Sequence, residues 1–202
     1  MSFKTFSKWS VLWFFAITIA LYASVFALTE FNNSALKEKL LELPWTLQIH
    51  ALGGAVALLL GLIQFSRVRE FVPGKFHKSL GRIYAIAVFS SSLMGLVMAI
   101  RADGGLIAQT GFGLLAIIWL GTLFAALMAI YRKQISVHRT FMLFNYALTW
   151  ASVTLRVELP FLAIAFGFEV GYQMIAWLCW VPNLVFAGWW LQKTNYSMLK
   201  RS

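Results

Sequence analysis

The sequence predicts an all-α membrane protein, a bundle of six transmembrane helices. Hydrophobic residues make up 60% of the 202 residues and charged residues only 12%, whereas a soluble domain carries about 25% charged residues. Apolar runs recur along the chain at about the 20 residues needed to cross roughly 30 Å of hydrocarbon. The runs show no alternation with a period of two, so barrel strands are excluded and a helical bundle is expected.

The six predicted spans are separated by short polar connections. The first span follows Lys4 and Lys8, and it is too long and too aromatic for a signal peptide. Pro44 suits the first helical residue of span two, and Pro160 is expected to interrupt span five. Because no long linker divides the chain, residues 1–202 are predicted to form a single integral membrane domain. The spans are expected at about 9–28, 44–65, 76–100, 106–131, 136–165 and 170–191.

The distribution of charge predicts orientation and excludes one class of partner. Lys and Arg gather in alternate connections, and most Asp and Glu lie on the opposite side. Since basic loops stay in the cytoplasm, both termini are predicted to be cytoplasmic. The formal net charge of +10 does not indicate a nucleic-acid partner, because the basic residues flank apolar runs instead of forming a soluble patch. The predicted partner is the lipid bilayer.

Three histidines lie near the ends of predicted spans. His77 and His138 open spans three and five, which start on the same side, so two parallel helices present a ring at matching depth. His50 lies about six residues into span two, towards the outer side. Ionisable groups at membrane depth are costly and are therefore candidates for function. For His77 or His138 taken singly, a solvated interfacial position is the alternative.

Span five also carries a polar stripe. At about 100° per residue, one helix face collects His138, Asn145 and Arg156 together with Met142, Thr149 and Ser152. Arg156 is predicted to line a cavity near His50, because a guanidinium inside an apolar run must be paired or hydrated. The polar groups between His138 and Arg156 either line that cavity or join helices through hydrogen bonds.

Two further faces are candidates for a cavity or for close packing. On span three, Tyr84 shares a face with His77 and Gly81. On span two, small residues follow His50 on one face, which allows either close helix approach or a flat cofactor against the backbone. That face consists of His50, Gly54, Ala57, Gly61 and Gln64.

Motifs of soluble enzymes and of thiolate metal sites are missing from the sequence. The single cysteine, Cys179, lies in an apolar run and is expected to be a small buried hydrophobe. Without CxxCH, covalent attachment of c-type haem is excluded. Glycine-rich phosphate loops, HExxH and GxSxG do not occur either.

The segments QIHALGGAVALLLGLIQF, FHKSLGRIYAIAVFSSSLMGL and VHRTFMLFNYALTWASVTLR carry a resemblance to known proteins. Together they resemble a bacterial family of inner-membrane proteins known only as a domain of unknown function, over roughly Leu47 to Pro160. The HxxxGRxY element, His77 to Tyr84, and the His-Arg pair at His138 are its most specific parts. This resemblance implies the fold and the bacterial inner membrane, and no activity.

The chain is more distantly similar to the cytochrome b561 superfamily, whose members have six spans with haem-ligating histidines on the four central helices. This similarity implies one haem b with His77 and His138 as iron ligands, and with basic side chains, here Arg82 and Arg139, at its propionates. Span four contains no histidine. His50 would therefore serve a substrate or quinone instead of a second haem.

Two functions from different classes follow. The first is a redox protein with one haem b that exchanges electrons with quinone or with another membrane protein. The second is a cofactor-free membrane protein, either an accessory subunit or a binder of lipid or another small molecule.

Overall fold

The all-α class is confirmed. The computed structural model describes residues 3–29, 45–65 and 73–199, with side chains placed in 9–29, 45–65 and 73–194, and these ranges contain helices and short turns without a β-strand. The helices are α1 (Phe3–Thr29), α2 (Thr46–Phe65), α3 (Gly74–Ile100), α4 (Gly105–Tyr131), α5 (Ile135–Thr149), α6 (Ala151–Phe166), α7 (Phe168–Leu178) and α8 (Val181–Leu199).

Six stretches of the described chain are long and apolar enough to cross a membrane. The helices α1 to α4 each supply one, α5 continues into α6 to form the fifth, and α7 continues into α8 to form the sixth. The predicted first residue of span two, Pro44, lies outside the described residues. Trp45 begins the described part and is exposed, as expected of an aromatic residue at a membrane interface.

The predicted interruption of span five at Pro160 is wrong. Proline lies inside α6, where it removes one backbone hydrogen bond that neighbouring structure can replace. The boundary between α5 and α6 falls instead at Trp150. Its carbonyl accepts from the amides of both Val153, at 2.9 Å, and Thr154, at 3.1 Å. This shared acceptor marks a locally tightened turn.

Backbone contacts divide the chain into two compact units, unit 1 (Met1–Arg101) and unit 2 (Ala102–Ser202). In unit 1, α2 packs against both α1 and α3. Its contact with α1 is a cluster of buried alanines, Ala23, Ala27 and Ala51. Its contact with α3 is close at Gly53, where an added Cβ would lie 3.0 Å from the Ala87 carbonyl oxygen. Small residues therefore set the helix spacing in unit 1.

In unit 2, α4 packs against α5 and α7, α6 against α7, and α5 against α8. The α4–α7 contact leaves no room for a side chain at Gly111, since an added Cβ would lie 2.8 Å from the Ala176 carbonyl oxygen. Gly171 is equally confined, with backbone atoms of Leu162 and Ala163 at 2.9 Å. Two glycines thus allow α7 to lie close to both of its neighbours.

Candidate functional site

His50 joins α2 to α3 through a reciprocal pair of hydrogen bonds. Its Nδ1 lies 2.8 Å from the Ser91 carbonyl oxygen, and the Ser91 hydroxyl donates to the His50 carbonyl oxygen at 2.7 Å. Because a carbonyl oxygen can only accept, Nδ1 carries the proton in this bond. Ser91 is fully buried and His50 is partly buried. The ring that the sequence assigned to a substrate or quinone is therefore held in one orientation.

The small-residue face of α2 is used for close helix packing. Besides Gly53, Gly54 lies near the Ser91 hydroxyl, 3.6 Å from an added Cβ, and Ala57 and Gly61 are buried. At the end of the same face, Gln64 donates its Nε2 hydrogen to the His77 carbonyl oxygen at 3.1 Å. The sequence left two alternatives for this face, close helix approach or a flat cofactor against the backbone. Over these residues the structure shows close helix approach.

His77 lies in the first turn of α3 and is partly buried, while Arg82, one turn later, is exposed. Tyr84, predicted to share a helix face with His77 and to line a cavity, is 1% exposed and belongs to the interior of unit 1. A residue with so little exposure contributes to packing within the unit. His77 and Arg82 have accessible surface outside the interior of unit 1, and Tyr84 has almost none.

His138 lies in the first turn of α5 and reaches the preceding helix. Its Nδ1 lies 2.9 Å from the carbonyl oxygen of Ala126, near the end of α4. This bond places the proton on Nδ1 and leaves the lone pair of the neutral ring on Nε2. The neighbouring Arg139 is exposed. Ala126 is fully buried, so the acceptor is a fixed part of the α4–α5 contact.

The middle of the polar stripe faces α4. Asn145, which is fully buried, donates from Nδ2 to the Trp119 carbonyl oxygen at 2.7 Å and to the Thr122 hydroxyl at 2.9 Å. The Trp119 indole N–H donates to the Thr149 hydroxyl at 3.1 Å. These four residues form a buried polar cluster, called the Asn145 cluster below. The hydrogen bonds join two helices, which was one of the two alternatives for this part of the stripe.

Arg156, at the far end of the stripe, is partly buried on α6. Its Nη1 donates to the Ser152 carbonyl oxygen one turn earlier, at 2.9 Å. The guanidinium therefore lies back along its own helix and covers a backbone acceptor. Arg156 is thus a cation within the fifth candidate span. An ionisable group inside a span is the feature that made this residue a functional candidate.

Several interhelical contacts of unit 2 were not anticipated from the sequence. The Asn183 amide donates to the Ala147 carbonyl oxygen on α5 at 3.3 Å and to the Thr154 hydroxyl on α6 at 3.2 Å. Gln173 donates to the Gly104 carbonyl oxygen at 3.0 Å, and the Trp177 indole donates to the Ile107 carbonyl oxygen at 3.1 Å. The sequence did contain one signal for such contacts, a single amide side chain inside an apolar run, because this group must find a hydrogen-bond partner within the membrane.

The described residues contain no group of three or more His, Cys, Asp or Glu side chains that could hold a metal ion. A porphyrin supplies four nitrogen ligands of its own and takes only one or two from protein side chains.

No curated protein and no solved structure matches the chain. The similarity to cytochrome b561 therefore gains no support from these comparisons. One family model does match, over residues 47–191, and its description is a predicted membrane protein, DUF2306. Because the match covers most of the chain, this protein belongs to the DUF2306 family of membrane proteins.

Proposed function

We propose that this membrane protein binds haem b and transfers electrons, with His138 as a residue that would hold the haem iron. The observation that carries the proposal is the 2.9 Å bond between His138 Nδ1 and the Ala126 carbonyl oxygen. Metal-ligating histidines almost always donate the second ring N–H to a carbonyl or carboxylate, which fixes the tautomer and raises the basicity of the other nitrogen. His138 therefore has the tautomer that an iron ligand needs.

The surrounding residues suit this role. The Ala126 carbonyl is buried in the α4–α5 contact, so it holds the ring in position before a ligand arrives. Arg139 is exposed one residue later and can neutralise a carboxylate such as a haem propionate. Bound haem b would supply reversible one-electron transfer, with a potential set by its axial ligands and burial. Quinone, or another membrane protein, is the proposed electron partner.

The proposal includes an orientation. Basic residues follow α4 and open α3 and α5, and this pattern favours both termini on the cytoplasmic side of a bacterial inner membrane. A reporter fused near Gly74 or Gln134 should then be active in the cytoplasm, and one fused near Ala35 should be active outside. If the reporters were active on the opposite sides, the proposed orientation would be wrong and the haem proposal would not be affected.

An absorbance spectrum tests the haem. Protein purified from cells supplied with a haem precursor should show a Soret band and, on reduction, an α-band. His138→Ala should abolish or shift both bands, because it removes a ligand. His50→Ala is the matched control, since it removes a histidine with the same kind of Nδ1–carbonyl bond in unit 1 and should leave the bands unchanged.

The similarity to cytochrome b561 implies His77 as a second residue that would hold the iron, and His77→Ala tests that implication separately. With two histidine ligands the spectrum is low-spin, and loss of one should give a high-spin spectrum with retained haem. A colourless wild-type protein, or bands that His138→Ala leaves unchanged, would contradict the haem proposal.

A cofactor-free role is the second candidate, and a specific observation favours it. His50 and His138 both use Nδ1 to join neighbouring helices, so the same bond can be purely structural. In that case Arg156, a partly buried cation inside a candidate span, is the residue expected to bind a small anionic ligand. Arg156→Lys should then bind less well than the wild type, because an ammonium lacks the planar fork of a guanidinium.

A further inference from the structure

The two ends of unit 2 differ in charge. The antiparallel spans of this unit bring the turn after α4 and the end of the sixth span to one end, called the basic end below. The other end, where α4 and α7 begin, has the carboxylates of Asp103 and Glu169, and Glu158 lies further along α6, two residues from Arg156. Every charged residue that the structure describes at the basic end is a cation. These exposed cations are Arg132, Lys133, Arg139 and Lys193.

Lys133 occupies a backbone position that normally belongs to glycine. Its φ is 58°, which makes it the one non-glycine residue with positive φ in the described chain. The amide of Lys133 donates to the Ile130 carbonyl at 3.0 Å, and the amide of Gln134 donates to the Ala129 carbonyl at 2.9 Å. This pair of bonds is a Schellman motif, and Lys133 is its left-handed residue. A lysine here carries a conformational cost that glycine would not.

The start of α5 adds further positive potential at this end. Its N-cap, Gln134, makes no side-chain capping bond, and the first turn contains no acidic residue. The first backbone N–H groups of a 15-residue helix carry the positive end of its dipole. Natural sequences usually place a carboxylate at such a position. Here the neighbouring charged side chains, Arg132, Lys133 and Arg139, are cations as well.

Aromatic residues place the basic end at the depth of lipid headgroups. The Lys193 Nζ lies 5.0 Å from the centroid of the exposed Trp189 ring. Tyr131, the last residue of α4 and of its candidate span, is 84% exposed. Tryptophan and tyrosine concentrate at the membrane–water interface. Cations beside them lie where the phosphates of phospholipids are found.

We propose that the basic end of unit 2 binds the phosphate of an anionic phospholipid, such as phosphatidylglycerol, with Lys133 and Arg132 as its cations. Charge complementarity and interfacial depth together favour a lipid over a phosphate ion from solution. This proposal goes beyond the haem proposal and does not depend on it. Because Arg139 is also a candidate partner of a haem propionate, the experiment leaves that residue unchanged.

Native mass spectrometry of the detergent-purified protein measures the lipid preference directly. With equal amounts of phosphatidylglycerol and phosphatidylcholine added, the wild type should retain the anionic lipid preferentially. Lys133→Gly should reduce that preference about fivefold, the effect of removing one interfacial cation. The same substitution should leave the melting temperature unchanged or raise it, because glycine suits the left-handed position. Loss of binding without loss of stability distinguishes a ligand contact from a structural one.

Three further variants and one competitor complete the experiment. Lys133→Arg should keep the preference because it keeps the charge, and Glu169→Gln should keep it because it changes the charge at the opposite end. Arg132→Gln repeats the test with a residue outside the left-handed position, in case Lys133→Gly does not fold. Inorganic phosphate at the lipid concentration should not displace phosphatidylglycerol. An unchanged preference in Lys133→Gly and Arg132→Gln, or displacement by inorganic phosphate, would overturn the proposal.

Discussion

The helix contacts of unit 1 and the α4–α5 contact of unit 2 are made in different ways, although α7 of unit 2 also has close glycine contacts, at Gly111 and Gly171. In unit 1 the contacts are made by small residues, with buried alanines between α1 and α2 and Gly53 against Ala87 between α2 and α3. The His50–Ser91 pair adds two hydrogen bonds to this close contact. In unit 2 the α4–α5 contact contains larger side chains, and the buried Asn145 cluster joins the helices through Trp119 and Thr149.

The difference shows two solutions to one physical problem. Lipid tails are as apolar as leucine, so burying apolar side chains does not drive helices together inside a bilayer. Dispersion between closely spaced backbones is one source of affinity, and it needs small residues. Hydrogen bonds between side chains are the other, and they fix which residues face each other. The two kinds of contact should therefore fail under different substitutions.

The largest effect is expected where a side chain is added to a close contact. Gly111→Leu places its Cβ against the backbone of Ala176, 2.8 Å from the carbonyl oxygen. We expect a loss of stability of about 1–3 kcal/mol or more, since neither backbone can yield without moving a helix. Thermal unfolding in detergent measures this loss. Gly113→Leu is the control on the same helix, because an added Cβ at Gly113 meets nothing within 4 Å. Equal losses for the two variants would contradict the packing argument.

A smaller effect is expected when the Asn145 cluster loses its amide. Asn145→Leu keeps the number and branching of the side-chain heavy atoms and removes the bonds to the Trp119 carbonyl and the Thr122 hydroxyl. Hydrogen bonds between membrane helices contribute about 0.6 to 2 kcal/mol, so we expect a loss in that range. A double-mutant cycle with Thr122→Val isolates the side-chain pair. If Asn145→Leu stabilises the protein, the cluster does not hold α4 and α5 together.

The smallest effect is expected at the polar pair of unit 1. Ser91→Ala removes the hydroxyl bond to the His50 carbonyl and leaves the bond from His50 Nδ1 to the Ser91 backbone oxygen. We expect a loss of about 0.6 kcal/mol, the average for such bonds in membrane proteins. Ser90→Ala is the matched control, because the Ser90 hydroxyl bonds to its own helix at Ile86 and Ala87. A larger loss for Ser91→Ala than for Asn145→Leu would reverse the comparison between the units.

The sequence predicted the helical class and the candidate positions, because both follow from local patterns. Long apolar runs require backbone bonds within each segment, so their helices form whatever they pack against. The small-residue face of α2 and the polar stripe of α5 and α6 were visible at helical spacing. Each face had two interpretations, cavity or helix contact. Gly53 at 3.0 Å from Ala87 and Asn145 bonded to Trp119 identify helix contacts at those positions.

Other features had no local signal. The interruption predicted at Pro160 is not found, and the tightened turn is at Trp150, a residue with no special backbone preference. Lys133 has a positive φ although lysine disfavours it. The partners of Asn183 and Gln173 on other elements lie 29 to 69 residues away in the chain. Contacts at that separation depend on which helices pack together, and local sequence patterns do not show this.

The sequence by itself determined that this chain forms six membrane-length helices and where its histidines and Arg156 lie along them. Hydrophobicity and helical period are sufficient for this, because the bilayer forces every segment to satisfy its own backbone. Only the tertiary structure decided what the side chains do. The tautomer of His138 depends on the Ala126 carbonyl of another helix. The spacing of α4 and α7 depends on what faces Gly111. Both are properties of pairs of helices, since a hydrogen bond or a close contact exists only when its second partner is in position.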